Sequence, residues 1–254
     1  MYKRQAFNVF YNMTAANSAP IAPETSDSYE VGLKTQLFDR RLTFNVAAFN
    51  ERFYNFQANS FILVNGSVAT SLTNAGDVRS EGVELEATWR ATPALTFTGG
   101  YTYEDAIIVG YHCDAGTLTA ANYATCIAHN GKMLPFAPKN KADLTADWRL
   151  PLDGLVPFDA SVTSTYSYTG LTNFDIDQTP LARQPGYSLL DAGITLSTKD
   201  GHYHLSFIAK NLTNQYYTTF ITPPGDGVSA GSYTRLQVPR DAQRYVGVVA
   251  KASF

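Results

Sequence analysis

The stretch Gly82-Val83-Glu84-Leu85-Glu86-Ala87-Thr88-Trp89-Arg90, the turn Ala91-Thr92-Pro93-Ala94, and Leu95-Thr96-Phe97-Thr98-Gly99-Gly100-Tyr101-Thr102-Tyr103-Glu104 decide the fold. Val83, Leu85, Ala87 and Trp89 alternate with Glu84, Glu86, Thr88 and Arg90. Beyond Thr92-Pro93, Leu95, Phe97, Gly99, Tyr101 and Tyr103 alternate with Thr96, Thr98, Gly100, Thr102 and Glu104. Strand side chains point alternately to opposite faces, so the segment reads as a hairpin with one apolar and one polar surface. Such a hairpin can build a soluble sandwich or a barrel wall. The rest of the chain separates the two.

Mean hydropathy is only -0.16, and no apolar run approaches the roughly 20 residues of a membrane-spanning helix. A transmembrane strand needs about 9–11 residues with half of them toward lipid, so average hydropathy does not exclude a barrel. The chain carries 16 Tyr and 15 Phe against 16% charged residues, with a net charge of -3. No basic stripe is present to meet phosphates, so no nucleic-acid partner is expected. The opening Met1-Tyr2-Lys3-Arg4-Gln5 has neither the apolar core nor the cleavage site of a secretory signal.

Working outward, a short strand is expected within residues 2–12, with Phe7, Val9 and Tyr11 on one face. A second carries Tyr29, Val31, Leu33 and Leu37, and turns at Asp39-Arg40-Arg41. Its partner begins with Leu42, Phe44, Val46 and Ala48, then loses a clear register because Phe49 and Phe53 oppose Tyr54 and Phe56. Residues 57–77 read as a polar connection into the hairpin. After Glu104 comes the longest interruption, to Pro138. Further strands carry Ala142, Leu144, Ala146 and Trp148; Phe158, Ala160, Val162, Tyr166 and Tyr168; and Leu190, Ala192, Ile194 and Leu196. A tight type I′ turn is expected at Asp200-Gly201. Tyr203, Leu205, Phe207 and Ala209 follow, and the last strand holds Val246, Val248, Ala250, Ala252 and Phe254.

This gives about ten strands without helices between them, an all-β antiparallel class. The joints near 39–41, 91–93, 151–157 and 199–201 are short, and those at 57–77, 105–138, 169–186 and 213–241 are long, in strict alternation. In an up-and-down meander this places all tight turns at one end and all large loops at the other, as in an outer-membrane barrel. A Greek-key sandwich gives no reason for that sorting. Lys141, Asp143, Asp147 and Arg149 on one strand also suit a hydrated lumen and would be costly in a packed core. The reading is a transmembrane β-barrel wall with aromatics at its interfaces.

Chemistry-bearing constellations are sparse. Cys113 and Cys126 lie in one polar loop, where a disulfide fits an oxidising compartment and two free thiols are the alternative. His112 and His129 nearby lack recognised zinc spacing. His202 and His204 sit beside the Asp200-Gly201 turn, and no Ser-His-Asp motif supports an enzyme. No cofactor is expected.

Four segments carry a resemblance. Glu24-Thr25-Ser26-Asp27-Ser28-Tyr29-Glu30-Val31-Gly32-Leu33-Lys34, Asn74-Ala75-Gly76-Asp77 with Glu81-Gly82-Val83-Glu84-Leu85-Glu86, Asn211-Leu212-Thr213-Asn214-Gln215-Tyr216-Tyr217, and the closing Pro239-Arg240, Tyr245-Val246-Gly247 and Phe254 occur in this order. Together they resemble TonB-dependent outer-membrane receptors. The resemblance implies that residues 1–254 are the carboxy-terminal part of a larger barrel of about 22 strands. The amino-terminal plug, the leading strands and the TonB-engaging segment would then be absent, as in a truncated gene or a sequence fragment. It further implies placement in outer-membrane lipid, a carboxy-terminal barrel signal at Tyr245 and Phe254, and TonB-energised uptake of a scarce ligand such as a ferric siderophore. A passive porin-like channel is the alternative; an outer-membrane enzyme and a soluble binding module are others. The loop residues that are candidates for ligand contact are Tyr111, His112, Tyr123, His129, Phe174, Tyr233 and Arg235, each equally readable as loop packing.

Overall fold

The computed structural model describes residues 3–4, 21–64, 67–112, 124, 126–152, 154–222 and 234–253. Ten strands form one antiparallel sheet in which each joins its neighbour in chain order. They are β1 (Lys3–Arg4), β2 (Glu24–Leu37), β3 (Leu42–Val64), β4 (Ser67–Arg90), β5 (Leu95–Tyr111), β6 (Asn140–Arg149), β7 (Phe158–Thr169), β10 (Tyr187–Thr198), β11 (Tyr203–Lys210) and β14 (Tyr245–Ala252). Two small ladders sit in the long connections: β8 (Thr172–Asn173) with β9 (Arg183–Gln184), and β12 (Phe220–Thr222) with β13 (Arg235–Gln237). The rest of the strand expected at residues 2–12 lies outside the described residues.

Register makes the two faces continuous, because directly paired residues share a face. On one face Leu33, Val46, Leu85, Tyr101, Ala142 and Tyr168 line up, and below them Leu95, Trp148, Val162, Ile194, Phe207 and Val248. These side chains have no core over them: Val31 is 73% exposed, Val246 77% and Trp148 46%. On the other face run Thr43, Thr88, Thr98, Thr145, Thr165 and Asp191, and beside them Asn45, Glu86, Gly100, Asp143 and Ser167. The polar face is knit by cross-strand bonds. Thr145 and Thr165 hydroxyls lie 3.0 Å apart, the Thr163 hydroxyl donates to Asp147 at 2.7 Å, and Lys210 pairs with Asp191 at 2.6 Å. This is a soluble protein's pattern inverted, apolar outward and polar inward.

The apolar band has an edge. On β4 the outward row changes from Val83 to Glu81 and Arg79, on β5 from Tyr103 to Asp105, and on β3 from Ala48 to Asn50 and Arg52. The changes coincide in register, Asn50 opposite Glu81 and Glu81 opposite Asp105. Tyr29, Tyr101, Tyr103 and Tyr166 lie near this upper border, and Trp89, Trp148 and Tyr203 near the lower one, the two aromatic girdles of a membrane barrel. Two of these tyrosines anchor their hydroxyls, Tyr101 to Asn140 (2.7 Å) and Tyr166 to Ser188 (2.8 Å).

Two expectations need correction. Most of the stretch 57–77, expected as a polar connection, continues the strands (57–64 and 67–77): β3 and β4 run 23 and 24 residues, about twice the ~9–11 that span a bilayer. Bulges caused the misreading. The β3–β4 pairing shifts between Phe53 and Phe56 and again between Phe56 and Gln57, and the β4–β5 pairing shifts between Asp77 and Val78. Each extra residue reverses which positions face outward. The second correction concerns the Asp200-Gly201 turn, where Gly201 alone has positive φ (72°), so it is not type I′. The paired positive φ values occur instead at Asp39 (53°) and Arg40 (64°), with Arg41 N–H donating to Phe38 O at 3.0 Å.

Candidate functional site

The long connections converge on one another at the end of the sheet opposite the tight turns. Residues 131–134 pair along the top of β5: Gly131 N–H donates to Ile108 O, Ile108 N–H to Lys132 O, and Leu134 N–H to Ala106 O. At the height of the bulges Val78, Ser80, Ala106 and Ile108 are buried. From there the chain meets the β7–β10 connection, Phe136 N–H donating to Asn173 O at 2.9 Å. Phe174, Ala182 and Ile221 form a second core joining the β7–β10 and β11–β14 connections. Thr218 links the same two by donating from backbone and hydroxyl to Gln184 Oε1, each at 3.0 Å.

Three connections contribute one aromatic cluster. Phe136 and Phe220 stack at 5.7 Å with an interplanar angle of 7°, and Phe174 meets both edge-on at 5.3 and 5.9 Å. Phe174 is buried, whereas Phe136 remains 54% and Phe220 37% exposed. The stack thus presents aromatic surface on a supported base. A second contact between loops centres on His129: its Nε2 lies 2.8 Å from Asp177 Oδ1 and its Nδ1 2.9 Å from Cys126 O, while the Tyr111 ring sits 4.6 Å from the imidazole. Burial first, and then the Asp177 carboxylate, push the Tyr111 phenol above its ordinary value and keep it protonated.

The sequence candidates therefore separate. Phe174 and His129 hold loops together, and Tyr111 packs on His129. His112 is exposed, its backbone N–H donating to Ala75 O at 3.1 Å, and Arg235 is exposed on β13. Tyr123, Tyr233, Cys113 and Phe254 lie outside the described residues, and Cys126 is not a free thiol. Phe136 and Phe220 were missed because separate loops bring them together on Phe174, and Asp177 because it meets His129 from another loop, in neither case with any periodic signal. Among the described residues no group of three metal-ligating side chains converges. Ser197 Oγ and His204 Nδ1 lie 2.8 Å apart as direct cross-strand partners beside a tight turn.

Residues 2–212 match the family model described as TonB dependent receptor-like, beta-barrel. The chain belongs to that family. The probable TonB-dependent receptor BfrD of Bordetella pertussis is 28% identical over 70% of this chain and 22% of its own length. The ferrichrome outer membrane transporter/phage receptor of Escherichia coli is 30% identical over 53% of this chain and 16% of its own. Among solved structures, the ferric yersiniabactin uptake receptor FyuA of Yersinia pestis superposes with a TM-score of 0.74 at 19% identity, over 99% of this chain and 34% of that one. The chain thus spans about a fifth of the curated relatives and about a third of that receptor. Its place is the outer membrane, and the outward apolar band is its lipid-facing surface.

The receptor motifs have structural work in this chain. Asn74 clamps the bulges: its Oδ1 accepts from Ala22 N–H (2.8 Å), and its Nδ2 donates to Asn55 O (2.7 Å) and Ala22 O (3.0 Å). Asp77 accepts from Asn55 N–H at 3.3 Å, at the left-handed bulge residue (φ 53°). Gly76 (φ 131°) and Gly82 each lie where a Cβ would meet a neighbouring carbonyl oxygen at 2.0 Å, so the β4–β5 contact excludes any side chain there. Asn211 is 1% exposed at φ 49°. It donates to Gln215 O and Asp241 O at 2.8 and 2.9 Å and accepts from Gln215 N–H at 2.8 Å. It thereby ties the end of β11 to the approach of β14. Tyr217 completes this corner by stacking on Tyr187 at 4.5 Å.

Proposed function

We propose that residues 1–254 form one stretch of barrel wall in a receptor that takes up a scarce iron chelate, such as a ferric siderophore, across the outer membrane with energy passed through TonB. The observation that carries the ligand side of this reading is the Phe136–Phe220 stack, held by separate external loops and left exposed on one side. Such a surface suits the apolar or ring-bearing periphery of a chelate. Relatives described as siderophore or metal receptors support the class. The plug and the TonB-engaging segment belong to the rest of the receptor. Cys113 and Cys126 close the β5–β6 loop as a disulfide in this reading, and the segment from Tyr245 to Phe254 serves as the assembly signal.

The test is uptake of radiolabelled iron complexed with a panel of siderophores by cells carrying the full receptor. Uptake of one chelate should vanish when TonB is deleted; uptake that persists without TonB would establish a passive channel. Replacing both Phe136 and Phe220 by Ala should weaken binding of that chelate about tenfold, from the loss of ring contacts worth ~0.5–1.5 kcal/mol each. Binding unchanged in the double variant would place the ligand elsewhere.

A further inference from the structure

The lipid-facing surface is not uniformly convex. Between β3 and β6, close to the tight-turn end, it holds a bowl of about 930 Å³, within the ~300–1,000 Å³ range of ordinary ligand sites. Its floor is the register pair Ala87 and Gly99, the smallest outward side chains of β4 and β5. Phe44 and Leu144, their neighbours in the same row, close the two ends. Along the strands it is bounded by the Trp89–Phe97 stack, at 5.7 Å and 24°, on one side and by Leu85 with Tyr101 on the other. The lining is mainly apolar; its charged members are Arg41, where the bowl opens toward the β2–β3 turn beside Phe38, and Glu86 and Asp143, which belong to the polar-face rows on either side of the floor.

That turn is built to keep its side chains in place. Phe38, Asp39 and Arg40 are three consecutive non-glycine residues with positive φ, 54°, 53° and 64°, a run that L-residues rarely adopt. Arg41 fixes the turn from below, its Nε donating to Arg90 O at 3.1 Å and its Nη2 to Ala91 O. Phe38 stands 70% exposed at the mouth of the bowl. Arg40 is exposed and has no ion pair among the described residues. Outer-membrane barrels place their short turns in the periplasm, so the mouth lies at the headgroup level of the inner leaflet.

We propose that this bowl binds one anionic phospholipid of the periplasmic leaflet, an acyl chain in the Ala87–Gly99 depression and the headgroup phosphate at Arg40 and Arg41. The acyl chain matches the apolar floor and walls. The phosphate matches two guanidinium groups on a turn whose only acid is Asp39, and guanidinium suits phosphate through its planar array of donors. The strained turn holds Arg41 at the mouth, with the exposed Arg40 next to it in the turn, before any lipid arrives.

The receptor containing this chain, extracted from outer membranes and placed in nanodiscs of equal phosphatidylglycerol and phosphatidylethanolamine, can be stripped of lipid by stepwise activation in native mass spectrometry. One phosphatidylglycerol should survive activation that removes the other lipids, with at least a fivefold preference over phosphatidylethanolamine. Arg40→Glu should abolish the preference, and Ala87→Phe, which fills the floor, should remove the retained lipid altogether. Each variant should keep the heat-modifiable mobility of a folded barrel, so loss of lipid can be told from loss of fold. Equal retention of the two lipids by the unaltered receptor, or retention unchanged in both folded variants, would overturn the proposal and leave only ordinary boundary lipid.

Discussion

Asn211 shows how much a single polar side chain can hold when it is buried among backbone groups. Its amide satisfies a carbonyl and an N–H of nearby Gln215 and the carbonyl of Asp241, thirty residues away in sequence. It also occupies a left-handed conformation that Asn tolerates and Ala does not. Asn211→Ala should therefore destabilise the barrel by roughly 3 kcal/mol, from buried groups left unpaired at ~1–3 kcal/mol each. Urea unfolding in lipid vesicles would show this as a lowered midpoint, whereas a change within error would mean that water replaces the amide. The sequence offered Asn211 only as part of a short resemblance. Its burial and its partners depend on Asp241 arriving from the next strand's approach, which no local pattern encodes.

At the scale of elements, the instructive case is the β3–β4 hairpin. Alternation of apolar and polar residues was legible wherever one face meets lipid, which is why Leu42–Ala48 and Val83–Trp89 were recognised as strand. Above the band the outward row turns polar, at Asn50, Arg52, Glu81 and Arg79, so the pairing continues without the pattern that reveals it. The bulges at Asn55 and near Gly76 then invert the phase of what apolar residues remain. Asn74 sits at this junction and ties it to Ala22 and Asn55. Asn74→Ala should cost about 1–3 kcal/mol of local order and leave the lipid-facing rows intact. Limited proteolysis of whole cells would report faster cleavage above residue 56 with unchanged barrel assembly; loss of assembly would show that the clamp supports the wall as well.

For the whole molecule, what the sequence disclosed was the wall: its class, its two faces and the segregation of short from long connections, except at 57–77, where the strands continue. What it withheld was the convergence of loops, because Phe136, Phe174 and Phe220 meet only once three separate connections have folded over the sheet. The assignment of faces has a direct consequence. Leu85→Arg sets a cation against hydrocarbon, at ~2–4 kcal/mol near the bilayer midplane, and should sharply reduce the folded, heat-modifiable form in outer-membrane fractions. Glu86→Arg, one residue away on the hydrated face, should leave that form near its normal level. Equal effects of the two would mean that the faces are reversed.

The alignment of the three register shifts at one height also bears on how such receptors can diversify. Each bulge absorbs a change of phase, so whatever hairpin stands above Asn55 and Asn74 is decoupled from the rows below. A hairpin of another length or composition can be spliced in at that line without renumbering a single lipid-facing contact. The wall behaves as a standard socket, and a new head can be fitted to it by recombination rather than by redesign of the barrel.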